Sequence, residues 1–228
     1  MPSSEALSVK ELFDELAQGY DERIKRNGYF APGWVTAHAG ELEDRPEFRV
    51  LDLACGTGLN VRVLAGRRKG IRADGIDLSP KMLELARASA LYERLYVRDL
   101  NYRLPDIPSE SFDLVIAFGF LEWLDYVGPC ISECHRLLKP NGILWATFRR
   151  FEAGDEASPR RQVEIAGGRL TGYSAAEIVH VLNQLDLHIV KLEETTGYLT
   201  STGFPCPYYV LRAAKVSNCG AGGCAGSP

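Results

Sequence analysis

From Arg49 onward the chain alternates short apolar runs with stretches whose apolar residues recur at helical spacing. Arg49–Leu53 is an apolar run ending in a glycine-bearing turn, the pattern of a buried strand that feeds a loop. Leu59 to Arg68 then reads as a helix and Ile71 to Asp77 as a second strand. The alternation continues to Phe148, which predicts a parallel sheet with helices on both faces. Ahead of it, Ser8 with Glu11 forms a capping-box pattern that opens a helix through Leu12, Phe13, Leu16 and Ala17. Ala31-Pro32-Gly33-Trp34 predicts another helix. Residues 150–172, with Gly154, Pro159, Gly167, Gly168 and Gly172, are the least regular stretch. Ser174 and Glu177 form a further capping box, starting a helix to about Asp186. Leu187 to Glu194 and Pro207 to Lys215 read as the last strands. No internal repeat interrupts this order.

The turn after the first strand carries the most chemistry. Gly56 and Gly58 lack a Cβ, so a ligand can approach the backbone there and a positive φ is tolerated. Asp77 ends the second strand 19 positions after Gly58, a spacing that suits a carboxylate accepting from both hydroxyls of an adenosine ribose. The nicotinamide-dinucleotide fingerprint requires a third small residue, and Val61 stands in its place. A Walker-type phosphate loop requires Gly-Lys-Ser/Thr, and Gly58-Leu59-Asn60 contains no lysine.

Asp52-x-Ala54-x-Gly56-x-Gly58 resembles the first motif of the class I S-adenosylmethionine-dependent methyltransferases, with Ala54 replacing the motif's first glycine. Four further segments fall in that family's order: Gly75–Met82, Leu95–Leu100, Ser111–Gly119 and Leu137–Leu144. The N-terminal region, with Phe13-Asp14, Tyr20-Asp21 and Gly28-Tyr29, is similar to the lid of the bacterial small-molecule and quinone-type subset. The resemblance implies one α/β, Rossmann-like domain with a mostly parallel seven-stranded sheet, an antiparallel last strand and an N-terminal helical lid. It divides the chain into a lid (1–46), a methyltransferase domain (47–216) and a flexible Gly/Cys tail (217–228).

The same resemblance implies which residues hold S-adenosylmethionine. Asp52, Ala54, Cys55, Gly56, Thr57 and Gly58 form the donor loop, with Cys55 a small filler. Asp77 would take the ribose, Leu78 and Met82 would flank the adenine, and Asp99 with Leu100 would meet its exocyclic amine. Phe118, at the end of the fourth strand, and Tyr20, in the lid, would wall the donor pocket.

Composition narrows the function. At 228 residues and 46% hydrophobic, the chain can bury one α/β core without staples. A net charge of −4 argues against a nucleic-acid groove. Phe118-Gly119-Phe120-Leu121 also lacks the Asp/Asn-Pro-Pro-Tyr/Phe pattern of enzymes that methylate base amino groups. The N-terminus has neither a basic region nor an apolar segment of signal-peptide type, and no apolar run approaches ~18 residues. The expectation is a cytoplasmic protein, away from membranes, with its six cysteines reduced. Its oligomeric state is open.

Methyl transfer needs alignment and dryness more than a catalytic triad, because the cofactor carries the hard chemistry. If a base is used, Glu122, just past the fourth strand, is the candidate; it could equally start the next helix, where an acid suits the dipole. The four histidines read as structural or exposed rather than catalytic, and Asp113 as structural. Cys130 and Cys134, four apart on a helix, lack partners for a zinc set. Cys206, Cys219 and Cys224 form a thiol group that could capture a metal or metalloid. The expected function is methyl transfer to a small molecule; the alternatives are a metalloid (arsenite-type) or protein methyltransferase, or a non-catalytic donor-binding module.

Overall fold

The computed structural model describes residues 7–154 and 161–216. Three helices lead: α1 (Val9–Leu16), α2 (Tyr20–Arg26) and α3 (Ala31–His38). The alternating part follows as β1 (Phe48–Leu53), α4 (Leu59–Arg67), β2 (Ile71–Asp77), α5 (Pro80–Ala88), β3 (Tyr92–Val97), β4 (Phe112–Ala117), α6 (Val127–Leu137) and β5 (Leu138–Arg149). A hairpin of β6 (Gln162–Ile165) and β7 (Gly168–Thr171) precedes α7 (Ala175–Asn183), β8 (Leu187–Leu199) and β9 (Pro205–Lys215).

Seven strands form one sheet in the order β3-β2-β1-β4-β5-β9-β8. The pairs from β3 to β5 are parallel, and β9 runs antiparallel to both β5 and β8. The central strands are apolar on both faces because both are covered. Along β4, Leu114 and Ile116 face a cluster with Val35, Val61 and Trp145, while Val115 and Ala117 face one with Ile131, Leu137 and Leu182. Strand order reverses where β1 pairs with both β2 and β4, so the crevice beyond their carboxyl ends is the ligand position of this architecture.

Local signals explain the helix starts. Ser8 and Ser174 each accept from the residue three on, Glu11 or Glu177, whose carboxylate returns the bond. Ser79 caps α5 through Met82 N–H, with Pro80 in the first turn. Asp113 accepts from Arg49 N–H (2.7 Å) and Lys139 Nζ (3.0 Å), a structural role at the start of β4. Cys130 and Cys134 are buried in the core on α6.

Three features add to the sequence reading. Tyr20–Arg26 is a helix of its own, entered from Gly19 at φ 75°. The third strand lies at Tyr92–Val97, so Asp99 and Leu100 stand in the turn beyond it. The irregular 150–172 stretch contains the β6–β7 hairpin, whose Gly167 and Gly168 lie against Leu12 and Val9 of α1.

Candidate active site

A cavity of about 630 Å³ opens at the carboxyl ends of the central strands. At one end lie Ala54, Cys55, Gly56 and Thr57 after β1, Asp77 and Leu78 after β2, Met82 of α5, and Asp99 and Leu100 after β3. At the other end lie Glu122, Trp123, Tyr198 and Tyr208. Phe13, Leu16, Tyr20 and Ile24 of the N-terminal helices line it, as do Ile165 and Leu170 of the hairpin.

Asp77 organises the first end. Its Oδ2 accepts from Gly56 N–H and its Oδ1 from Ser79 N–H, both at 2.8 Å. Two backbone donors fix the carboxylate, and each oxygen retains a lone pair for a ligand hydroxyl. Burial raises the Asp77 pKa, opposed by those backbone hydrogen bonds. Gly56, at φ 55°, meets only Tyr20 Cε1, at 3.9 Å from where its Cβ would stand. Asp99 is held by Asn101, accepting from its N–H (2.9 Å) and Nδ2 (3.0 Å). Leu78, Met82 and Leu100 supply an apolar face between these acids.

The N-terminal helices are fastened to this end. Asp14 of α1 accepts from the Ser79 hydroxyl at 2.5 Å. Asp21 of α2 accepts from the Thr57 hydroxyl at 2.5 Å and from Arg62 Nη1 at 2.9 Å. Tyr20 is held with its hydroxyl pushed up to about 12, chiefly by burial. Phe118 borders the cavity while its ring packs against Phe30 and Trp34.

Asp52 and Gly58 are not among the cavity-lining residues. Asp52 is buried behind the loop, where its Oδ2 accepts from Tyr92 Oη at 2.8 Å; burial pushes its pKa up to about 7. Gly58 caps α4 at φ 84°, and a Cβ there would stand 2.8 Å from Tyr92 Cε2. Its missing side chain makes room for Tyr92. Cys206 lies on β9 beside Tyr198 and is also outside the lining. Cys219 and Cys224 lie outside the described residues. Among the described residues no cluster of His, Cys, Asp and Glu could hold a metal ion, and no helix is long and apolar enough to cross a membrane.

Glu122 does not start a helix of the α6 type. It sits in the 3-10 turn Leu121–Trp123, buried, and accepts from the Tyr208 hydroxyl. Tyr198 and Tyr208 went unnoticed in the sequence. They come from β8 and β9, far along the chain, and no motif marks them.

The glycine loop open to the cavity, the two acids and the apolar face between them fit S-adenosylmethionine. The fold is similar to that of solved S-adenosylmethionine-dependent methyltransferases. Residues 51–146 match the family described as a methyltransferase domain. The chain is 42% identical over 139 residues to the demethylmenaquinone methyltransferase of Thermus thermophilus, covering 58% of this chain and 62% of that protein. It is 38% identical over 143 residues to the enzyme of the same name from Deinococcus radiodurans, covering 60% of this chain and 58% of that one. The matched part thus spans about six-tenths of these curated relatives. In fold it is similar to Burkholderia thailandensis 1,6-didemethyltoxoflavin-N1-methyltransferase, solved with 1,6-didemethyltoxoflavin and S-adenosylhomocysteine. That likeness has a TM-score of 0.65 at 20% identity, covering 90% of this chain and 88% of that one.

Proposed function

We propose that this chain transfers the methyl group of S-adenosylmethionine to a small, flat, quinone-type ring compound. The observation that carries the reading is one continuous cavity with donor-type residues at one end and aromatic walls with a buried acid at the other. When bound, S-adenosylmethionine supplies a methyl group on a sulfonium sulfur, open to in-line displacement. Asp77 holds the ribose, Asp99 the adenine amine, and the Ala54–Thr57 backbone the donor's chain. The apolar side chains of Leu78, Met82 and Leu100 flank the adenine ring.

The segment 1–46 acts as a lid over the domain at 47–216. Asp14 and Asp21 latch it to Ser79 and Thr57, and Phe13, Leu16, Tyr20 and Ile24 exclude water from the cavity. Holding two reactants in line is worth up to roughly 7–11 kcal/mol of barrier. The hairpin residues Ile165 and Leu170 stand where they can select the acceptor. The sheet-end position, the net charge of −4 and the small cavity favour a small molecule over nucleic acid.

The test is incubation with methyl-labelled S-adenosylmethionine and a cell extract split by molecular size. Label in the small-molecule fraction supports the reading and yields the compound. Label on protein or nucleic acid overturns the small-molecule assignment.

A further inference from the structure

The far end of the cavity holds one buried acid ringed by phenols. Glu122 is 3% exposed and lines the cavity. Its Oε1 accepts from Tyr208, whereas Oε2, equally buried, has no hydrogen-bond partner among the described residues. Leaving a buried carboxylate oxygen unpaired costs free energy, which a ligand donor aimed at it would recover.

The groups acting on this acid come from several elements. Tyr20 approaches from α2, Tyr29 from the connection between α2 and α3, Tyr198 from β8, Tyr208 from β9, and Tyr173 from the segment before α7. Arg149 of β5 lowers its proton affinity, while Arg169, the charged residue of β7, is exposed. Burial outweighs the Tyr208 hydrogen bond and Arg149, raising Glu122 above the ordinary carboxylate range. An anionic acceptor would meet like charge at this end. A neutral hydroxyl satisfies Oε2 and lies against the aromatic and aliphatic walls of Trp123, Ile165 and Leu170.

Resting on the methyltransferase reading, we propose that Glu122 Oε2 accepts the proton of a ring hydroxyl on the acceptor, so that the substrate is a phenol- or quinol-class compound. In the step, the O–H bond breaks and its proton passes to Oε2. The electron pair left on the acceptor forms the new bond to the methyl carbon as the carbon–sulfur bond breaks. A sulfonium, a carboxylate and a neutral hydroxyl become a thioether, a carboxylic acid and a neutral methylated product, so charge balances. Tyr208 positions Glu122 and, by donating to Oε1, keeps it ionisable.

Calorimetry of the full chain with S-adenosylhomocysteine present tests this, using 2-naphthol and its methyl ether 2-methoxynaphthalene as probes. The wild-type chain is expected to bind 2-naphthol about tenfold or more tightly than the ether, a preference that fades as pH falls through the raised Glu122 range. Glu122→Gln keeps an acceptor but cannot ionise, so its preference loses the pH dependence. Tyr208→Phe removes a hydrogen bond that favours the carboxylate, so the pH dependence moves to higher pH.

Equal binding of the two probes by wild type, or a pH-dependent preference retained in Glu122→Gln, overturns the inference. Should Glu122→Gln fail to fold, an unmoved pH dependence in Tyr208→Phe overturns it. Failure of S-adenosylhomocysteine itself to bind wild type overturns the methyltransferase reading, and this inference with it.

Discussion

Thr57 and Asp21 are joined by a hydrogen bond of 2.5 Å, the threonine hydroxyl of the glycine loop donating to a carboxylate of α2. It ties α2 to the glycine loop after β1. Removing the carboxylate in Asp21→Ala leaves the Thr57 hydroxyl, 4% exposed, without that acceptor and removes one of the partners of Arg62. The expected outcome is a loss of about 1 kcal/mol in stability and about fivefold weaker S-adenosylhomocysteine binding. Calorimetry and a thermal melt read both; unchanged affinity would show that α2 does not act as a lid.

Ala54 sits at φ 49°, in the left-handed region, where the resembling motif has glycine. An L-residue pays roughly 1–2 kcal/mol there. Ala54→Gly relieves this strain but loosens the unfolded chain, so the expected net gain is about 1 kcal/mol. A raised melting temperature checks it. A lowered one would mean that the methyl group's packing outweighs the strain.

Gly58 makes the opposite case. A Cβ at φ 84° would stand 2.8 Å from Tyr92 Cε2 and 3.2 Å from its hydroxyl. Gly58→Ala is expected to cost about 2 kcal/mol or more, through backbone strain and displacement of the ring. Urea unfolding measures this, and a neutral result would refute the close packing of Tyr92 behind the loop.

Asp52 predicts a pH dependence. Its pKa is about 7 in the folded chain, raised by burial, against about 3.9 in unfolded chains. The native state therefore holds the proton more tightly. This contribution to stability is complete below about pH 4, declines as pH rises to about 7, and is flat above that. The loss amounts to at most roughly 4 kcal/mol. Asp52→Asn should flatten this slope when unfolding free energies near pH 5 and near pH 8 are compared. An unaltered slope would place the titrating group elsewhere.

The sequence disclosed most where local chemistry and burial agree. Ile71–Asp77 is a strand with the bounds its sequence predicts. The capping boxes at Ser8 and Ser174 open helices as expected, since each closes within four residues. Most of the proposed donor-end residues meet at one cavity because a single loop and three strand ends supply them. The misses are tertiary. Asp52 stands at a motif position, but its partner Tyr92, forty positions on, is set by the fold. The β6–β7 hairpin is glycine-rich and weakly apolar, and it is held by packing on α1 that no local pattern announces. Tyr208 meets Glu122 across 86 positions, through the pairing of β9 with β5.

Calorimetric titration of S-adenosylhomocysteine into the wild-type and Asp77→Ala chains tests the central claim most directly. Asp77 ties the glycine loop to β2 and faces the cavity, so the wild-type chain should bind one equivalent. The variant should bind more weakly by about 1–3 kcal/mol. No binding by wild type, or affinity undiminished in Asp77→Ala, would contradict the account.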